Sequence, residues 1–213
     1  MNRLDEIKTS VVLGKMEETI AGINTAISTG IAPGDIIRMG LIEAMTIVGE
    51  QFKNSEIYVP EMLIAARAMK AGLHILKPLM VGNEAKSLAS VVIGTVKGDL
   101  HDIGKNLVVI MMEGAGCKVI DLGVDIAPEK FVEAVNIHNP EFLAMSALLT
   151  TTMPLMRETI AALEKNGTRS LVKVLVGGAP ISQKFADEIG ADGYADNAVE
   201  AVDKIKAMVD KTN

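Results

Sequence analysis

Over roughly the first 80 residues, apolar positions recur at helical spacing. In PEMLIAARAMKAGLHILKPLM, the residues Met62, Leu63, Ala66, Met69, Leu73, Leu76 and Met80 fall on one stripe, and Pro60 suits a first helical turn. Upstream, APGDIIRMGLIEAMTIVGEQF predicts a second helix with Pro33 near its start. GKMEETIAGINTAISTG predicts a third, closed by Gly30, and RLDEIKTSVVL a short first one. Four helices with short connections predict a small antiparallel bundle.

VGNEAKSLA, residues 81–89, breaks this pattern and reads as a linker. Beyond it, short β-branched runs alternate with helical segments. SVVIGTV precedes a helix from about Ile103, and CKVIDLG precedes one opening at Pro128. EFLAMSAL is followed by a helix after Pro154, VKVLVGG by one near Gln183, and GADGYAD by one over residues 197–210. Five such strand–helix units predict a doubly wound parallel sheet with helices on both faces, in the flavodoxin-like order 2-1-3-4-5. The expected fold class is therefore α/β, a helical bundle followed by a flavodoxin-like, Rossmann-like sheet domain.

Composition narrows the function classes. Apolar residues make up 49% of the 213, but aromatics only 3%, so Leu, Ile, Val, Ala and 13 Met must fill the core. The formal charge of -6, with no block of Lys or Arg, argues against a nucleic-acid partner. One cysteine, Cys117, sits in an apolar run and reads as a buried thiol in a reducing compartment. No apolar run reaches membrane-spanning length, and MNRLDEIKTS lacks the apolar core of a signal peptide, so the expected location is cytoplasmic, with no membrane partner.

In a sheet of this kind, ligands bind outside the C-terminal ends of the strands, where strand order reverses. The stretch VVIGTVKGDLHDIGKNLVVI lies at that point, with Gly98, Asp99, His101, Asp102, Ile103 and Gly104 in its turn. Ser146, Leu148 and Thr150 follow the third strand, Gly177 and Gly178 the fourth, and Tyr194 and Asp196 the fifth. A phosphate loop needs Gly-x-x-x-x-Gly-Lys-Ser/Thr. Here the glycines are one residue too far apart, Asn106 replaces the hydroxyl, and Asp99 and Asp102 would repel a phosphate. A metal is the other option, since His101 with Asp99 two residues before it forms a ligand and an orienting carboxylate. A bare zinc site wants about three or four ligands, and His74 and His138 lie away from this rim. A macrocycle filling the equatorial plane would need only one axial ligand from the protein. Spacing alone still favours a turn-capping histidine over a ligand.

GDLHDIGKN resembles the Asp-x-His-x-x-Gly signature of cobalamin-binding domains, carried here by Asp99, His101 and Gly104. SAL at Ser146 to Leu148 and the pair Gly177-Gly178 are similar to later elements of that family, in order and at suitable spacing. YVPEMLIAARAMKAGLHILKP resembles the helical cap of methionine synthase and of corrinoid proteins serving methyltransferase systems for methylamines, methanol, betaine or methoxy compounds. The resemblance covers essentially the whole chain. It implies a cap over residues 1–88 and a cobalamin-binding domain over 89–213.

The resemblance further implies a corrinoid held base-off/His-on, with His101 as lower axial cobalt ligand, the chain's metal-binding residue, and Asp99 hydrogen-bonded behind it. In that reading Ser146 bonds the displaced nucleotide base, Gly177 and Gly178 let the nucleotide tail lie against backbone, and Gly104 leaves room for the corrin. Gly98, Asp102, Ile103, Leu148, Thr150 and Tyr194 complete the expected cofactor contacts. Lys105 is then expected to be an ordinary surface residue of the first helical turn. The cap would shield the upper face, with Tyr58 and Met62 as contacts (for Met62 the bundle core is the stronger reading), and would swing on the 81–89 linker. The implied function is a methyl carrier. A substrate-specific methyltransferase delivers a methyl group to reduced cobalt, and a second methyltransferase takes it to tetrahydrofolate or coenzyme M. A reductive activase is a further implied partner. The small subunit of a carbon-skeleton mutase is the alternative, but it lacks the cap. A cobalamin-dependent sensor is another, but it would need a signalling module.

Overall fold

A computed structural model describes residues 3–80 and 87–210 of the chain. They divide into two compact units, Met1–Ser87 with Gly114–Gly116, and Leu88–Glu113 with Cys117–Asn213. Most of the expected linker, residues 81–86, lies outside the described residues.

The first unit is helical, as its periodicity predicts. Helix α1 spans Arg3–Val12, α2 Met16–Ser28, α3 Pro33–Asp35, α4 Glu43–Lys53 and α5 Val59–Leu76. Pro33 occupies the first turn of α3, where its missing N–H costs nothing. One feature departs from the expected single helix over this region. Between α3 and α4, Ile36–Ile42 winds as a π-helix. Gly40 within it allows close packing on α1, since a Cβ there would stand 3.1 Å from Ile7 Cγ2. On α5 the buried face consists of Met62, Ala65, Ala66, Ala68, Met69, Gly72 and Leu76. Leu63, assigned to the stripe by its spacing, is exposed instead. Small residues take the packed face because α2 comes so near: a Cβ on Gly72 would stand 2.6 Å from Ile23 Cδ1. Met62 is fully buried in this core, whereas Tyr58 is exposed.

The second unit is the expected doubly wound sheet. Strands β1 Ser90–Thr95, β2 Lys118–Asp121, β3 Phe142–Ser146, β4 Lys173–Gly177 and β5 Gly193–Ala195 lie in the order β2-β1-β3-β4-β5, all parallel. Helices α6 Ile103–Gly114, α7 Pro128–His138, α8 Pro154–Asn166, α9 Gln183–Ile189 and α10 Ala198–Asp210 connect and follow them. Val91, Val92, Leu143, Val174 and Val176 are buried, as expected of strands covered on both faces. Phe131 from α7 and Met156 and Ile160 from α8 pack onto them. Pro128 and Pro154 each open a helix.

Register places one row of residues across the C-terminal edge of the sheet. Thr95 pairs with Ser146, Ser146 with Gly177, and Gly177 with Ala195. The loops leaving this row form the rim where the sequence places its chemistry.

Candidate functional site

The loop from β1 to α6 turns immediately. Asp99 N–H donates to Val96 C=O at 3.1 Å, closing a turn in which Gly98 takes φ 79°, a conformation that favours glycine. The chain then passes through Asp99, Leu100 and His101 before α6 begins. Two bonds fix its exit: Thr95 Oγ1 donates to His101 C=O at 3.0 Å, and Asn106 N–H donates to Asp102 C=O at 2.7 Å. Asp102, at the start of α6, also accepts the Asn106 amide through its carboxylate.

Asp99 is the centre of the rim. It is completely buried, yet its carboxylate accepts five hydrogen bonds. Oδ1 takes the His101 backbone N–H at 3.1 Å and His101 Nδ1 at 2.7 Å. Oδ2 takes the Leu148 and Leu149 N–H groups at 2.7 and 3.2 Å and the Thr152 hydroxyl at 2.8 Å. Burial opposes the charge, but the Leu148 N–H, the His101 ring and N–H and the Thr152 hydroxyl together hold the carboxyl well below the usual carboxylate range. An ionised carboxylate only accepts, so His101 Nδ1 carries the proton of this bond, which leaves Nε2 as the ring nitrogen available to another partner. The His101 side chain is 51% exposed.

The surroundings of His101 are open and apolar. Leu100, Ile103, Leu148 and Leu149 are all exposed large hydrophobic residues. A Cβ on Gly104 would meet nothing within 4 Å. Ser146 is half-buried in the row below.

Gly177 and Gly178 have a reason to be glycine that lies within the fold itself. A Cβ on Gly178 would stand 1.9 Å from the carbonyl oxygen of Ala147, and φ there is 127°. A Cβ on Gly177 would stand 2.9 Å from Ala195 O. Thr150, named as a cofactor contact from the sequence, is exposed at the turn, while Thr152 turns inward to Asp99. Tyr194 is half-buried and its hydroxyl donates to Asp196 at 2.8 Å. Burial, and then the Asp196 carboxylate, push its pKa up to about 12.

Lys105 requires a correction. The sequence places it on the surface, but its side chain is only 2% exposed and its ammonium lies 2.5 Å from Asp121 Oδ2. It also donates to Asn106 Oδ1 at 2.9 Å. A lysine in a first helical turn is normally solvated. Here Asp121, the last residue of β2, supplies the counter-charge.

Sequence reasoning also missed Thr152, Leu149, Thr95 and Asp125, which all hold the Asp99–His101 loop. The run Thr150-Thr151-Thr152 offered three hydroxyls with no means of telling which one faces inward. Among the described residues no group of three or more His, Cys, Asp or Glu side chains is placed to hold a metal ion, so His101 would have to act without other such protein ligands. No described helix is long and apolar enough to cross a membrane.

Known proteins match this arrangement over nearly the whole chain. One family model described as a B12 binding domain matches residues 89–203, and another of the same description matches residues 3–77. The chain is 45% identical over 188 residues to trimethylamine corrinoid protein 2 of Methanosarcina acetivorans, covering 87% of each chain. It is 42% identical over 207 residues to dimethylamine corrinoid protein 2 of the same organism, covering 97% of this chain and 95% of that one. Among solved structures, the methanol:cobalamin methyltransferase complex MtaBC from Methanosarcina barkeri aligns with a TM-score of 0.90 at 30% identity, over 98% of this chain and 80% of that one.

Proposed function

The chain belongs to the B12-binding corrinoid proteins of methyltransferase systems, and from that premise we propose that His101 is the lower axial ligand of its corrinoid. In this reading the cofactor is bound base-off/His-on, and the chain carries a methyl group from a substrate-specific methyltransferase to a second, acceptor methyltransferase. The observation that carries the reading is the pairing at the rim. A buried, ionised Asp99 holds the Nδ1 proton, and His101 Nε2 is left as a preoriented donor atom. No group of three or more His, Cys, Asp or Glu side chains is placed to hold a metal among the described residues, which suits a metal that arrives already coordinated in its plane.

The other residues present fit a flat macrocycle with a detached tail. Leu100, Ile103, Leu148 and Leu149 supply an apolar floor. Gly104 leaves space beside the imidazole. The Ser146 hydroxyl makes no hydrogen bond within the described residues, and is the proposed partner of the displaced base. Gly177 and Gly178 keep the tail's slot lined by backbone, and Thr150 and Tyr194 are proposed at its margin. The bound corrinoid supplies a cobalt centre on which a methyl group is carried between enzymes. Asp99 orients the imidazole and holds its proton at Nδ1, so the ligand strength of Nε2 follows the state of this hydrogen bond.

The names of the relatives support a methylated amine as the donor. Tetrahydrofolate and coenzyme M remain the two proposed acceptors, and a reductive activase the proposed third partner. The test is reconstitution with hydroxocobalamin. The wild-type protein should give the spectrum of a histidine-ligated corrinoid, and His101→Ala should not. An unchanged spectrum and affinity in His101→Ala would remove His101 from the cobalt. Methyl transfer with amine-specific and methanol-specific partner enzymes, assayed side by side, then identifies the donor.

A further inference from the structure

Asp125 sits in the loop between β2 and α7 with φ 57°. The two other non-glycine residues with positive φ among those described lie at helix C-termini, Asn139 directly after α7 and Ser55 one residue after the Asn54 cap of α4, where left-handed backbone closes the last turn. Asp125 closes no helix. Such a conformation in a side-chain-bearing residue persists where surrounding interactions over-determine it.

Those interactions reach the His101 loop from two sides. Gly98 N–H donates to Asp125 Oδ1 at 2.7 Å, and Asp125 N–H donates to Asp99 C=O at 3.1 Å. The loop carrying Asp125 is itself tied to β1. Thr95 N–H donates to Gly123 C=O, and Ile126 N–H to Thr95 C=O, each at 3.0 Å. A bridge between Val96 and Ile126 extends this pairing. Asp125 thus grips the backbone before and after the Asp99 α-carbon, and Asp99 in turn grips the imidazole.

We infer that Asp125 is a positioning residue for His101, acting through the Gly98–Asp99 backbone. This rests on the reading of His101 as the cobalt ligand. The bond to Gly98 needs an acceptor oxygen and a tolerance of left-handed backbone, not a charge. Asparagine meets both needs, and glycine meets only the second.

Full-length wild type, Asp125→Asn, Asp125→Gly and His101→Ala are titrated with hydroxocobalamin and followed by visible spectrum. Amide hydrogen exchange at Gly98 is measured on the apoproteins. Asp125→Asn should match wild type in affinity, spectrum and exchange. Asp125→Gly should speed exchange at Gly98, lower the histidine-ligated fraction, and weaken cobalamin binding roughly 10- to 100-fold. Wild-type binding and spectrum in Asp125→Gly would overturn the inference, as would an Asp125→Asn protein impaired as much as Asp125→Gly. A wild-type protein with the spectrum of His101→Ala would instead overturn the ligand reading, and this inference with it.

Discussion

Asp99 Oδ1 lies 2.7 Å from His101 Nδ1, and the two residues are opposites in exposure: the carboxylate is sealed from solvent while the imidazole is half open to it. The sealed partner fixes the geometry and the open one is left to act. Ionised Asp99 should therefore stabilise the fold in a pH-dependent way. Its folded pKa is depressed, so this contribution is complete above the ordinary carboxylate pKa of about 4 and is lost as pH falls from there toward the lowered folded value. Thermal melts of wild type and Asp99→Asn should differ most at neutral pH and converge in acid. A gap that stays constant down to pH 3 would contradict the assignment.

Thr152 donates to Asp99 Oδ2 from a buried position. Thr152→Val keeps the shape but removes the donor, and should cost about 1–3 kcal/mol of stability. It should also weaken cobalamin binding. Thr152→Ser restores the donor and should recover most of both. Urea denaturation and cobalamin titration of the pair provide the check.

Gly104 and Gly178 should respond oppositely to the same substitution. Gly104→Ala adds a methyl group in open space at the start of α6, and should leave the apoprotein as stable or up to about 1 kcal/mol more so. Its cobalamin affinity should fall. Gly178→Ala drives a methyl group into Ala147 O at a backbone angle unsuited to alanine, and should cost about 3 kcal/mol or more. Apoprotein melting temperatures separate the two cases before any cofactor is added.

The Lys105–Asp121 pair should behave as a partly buried ion pair. Lys105→Met leaves Asp121 without its cation, but a third of the Asp121 side chain is exposed, so the expected loss is about 1–3 kcal/mol, less than for a fully buried pair. Combining it with Asp121→Leu should cost less than the sum of the single changes. Strict additivity in a double-mutant cycle would show that the pair is not coupled.

The sheet was legible in the sequence because its cause is local. Short, continuous runs rich in β-branched residues, such as Val91 to Ile93 and Val174 to Val176, each ended by a glycine, read as strands covered on both faces, and Pro128 and Pro154 mark helix starts. Ser146 and Gly177 were likewise legible as neighbours, because strand ends share one edge and register aligns them. What escaped depends on partners distant in the chain. Lys105 is buried because Asp121, sixteen residues on, ends the neighbouring strand. Thr152, and not Thr150, meets Asp99 because of how the turn after β3 coils, and a run of three threonines does not encode that. The π-helical stretch Ile36–Ile42 keeps the same apolar spacing as the α-helix expected there, so periodicity does not distinguish them.

Cys117, the chain's only cysteine, precedes β2 at the end of the sheet opposite the rim. Burial pushes its thiol up to about 12, so it stays protonated through the neutral range. Thiolates are good acceptors of methyl groups and eager ligands for soft metals. Were the chain to carry a methyl group as proposed, this buried thiol would offer no thiolate to compete for it.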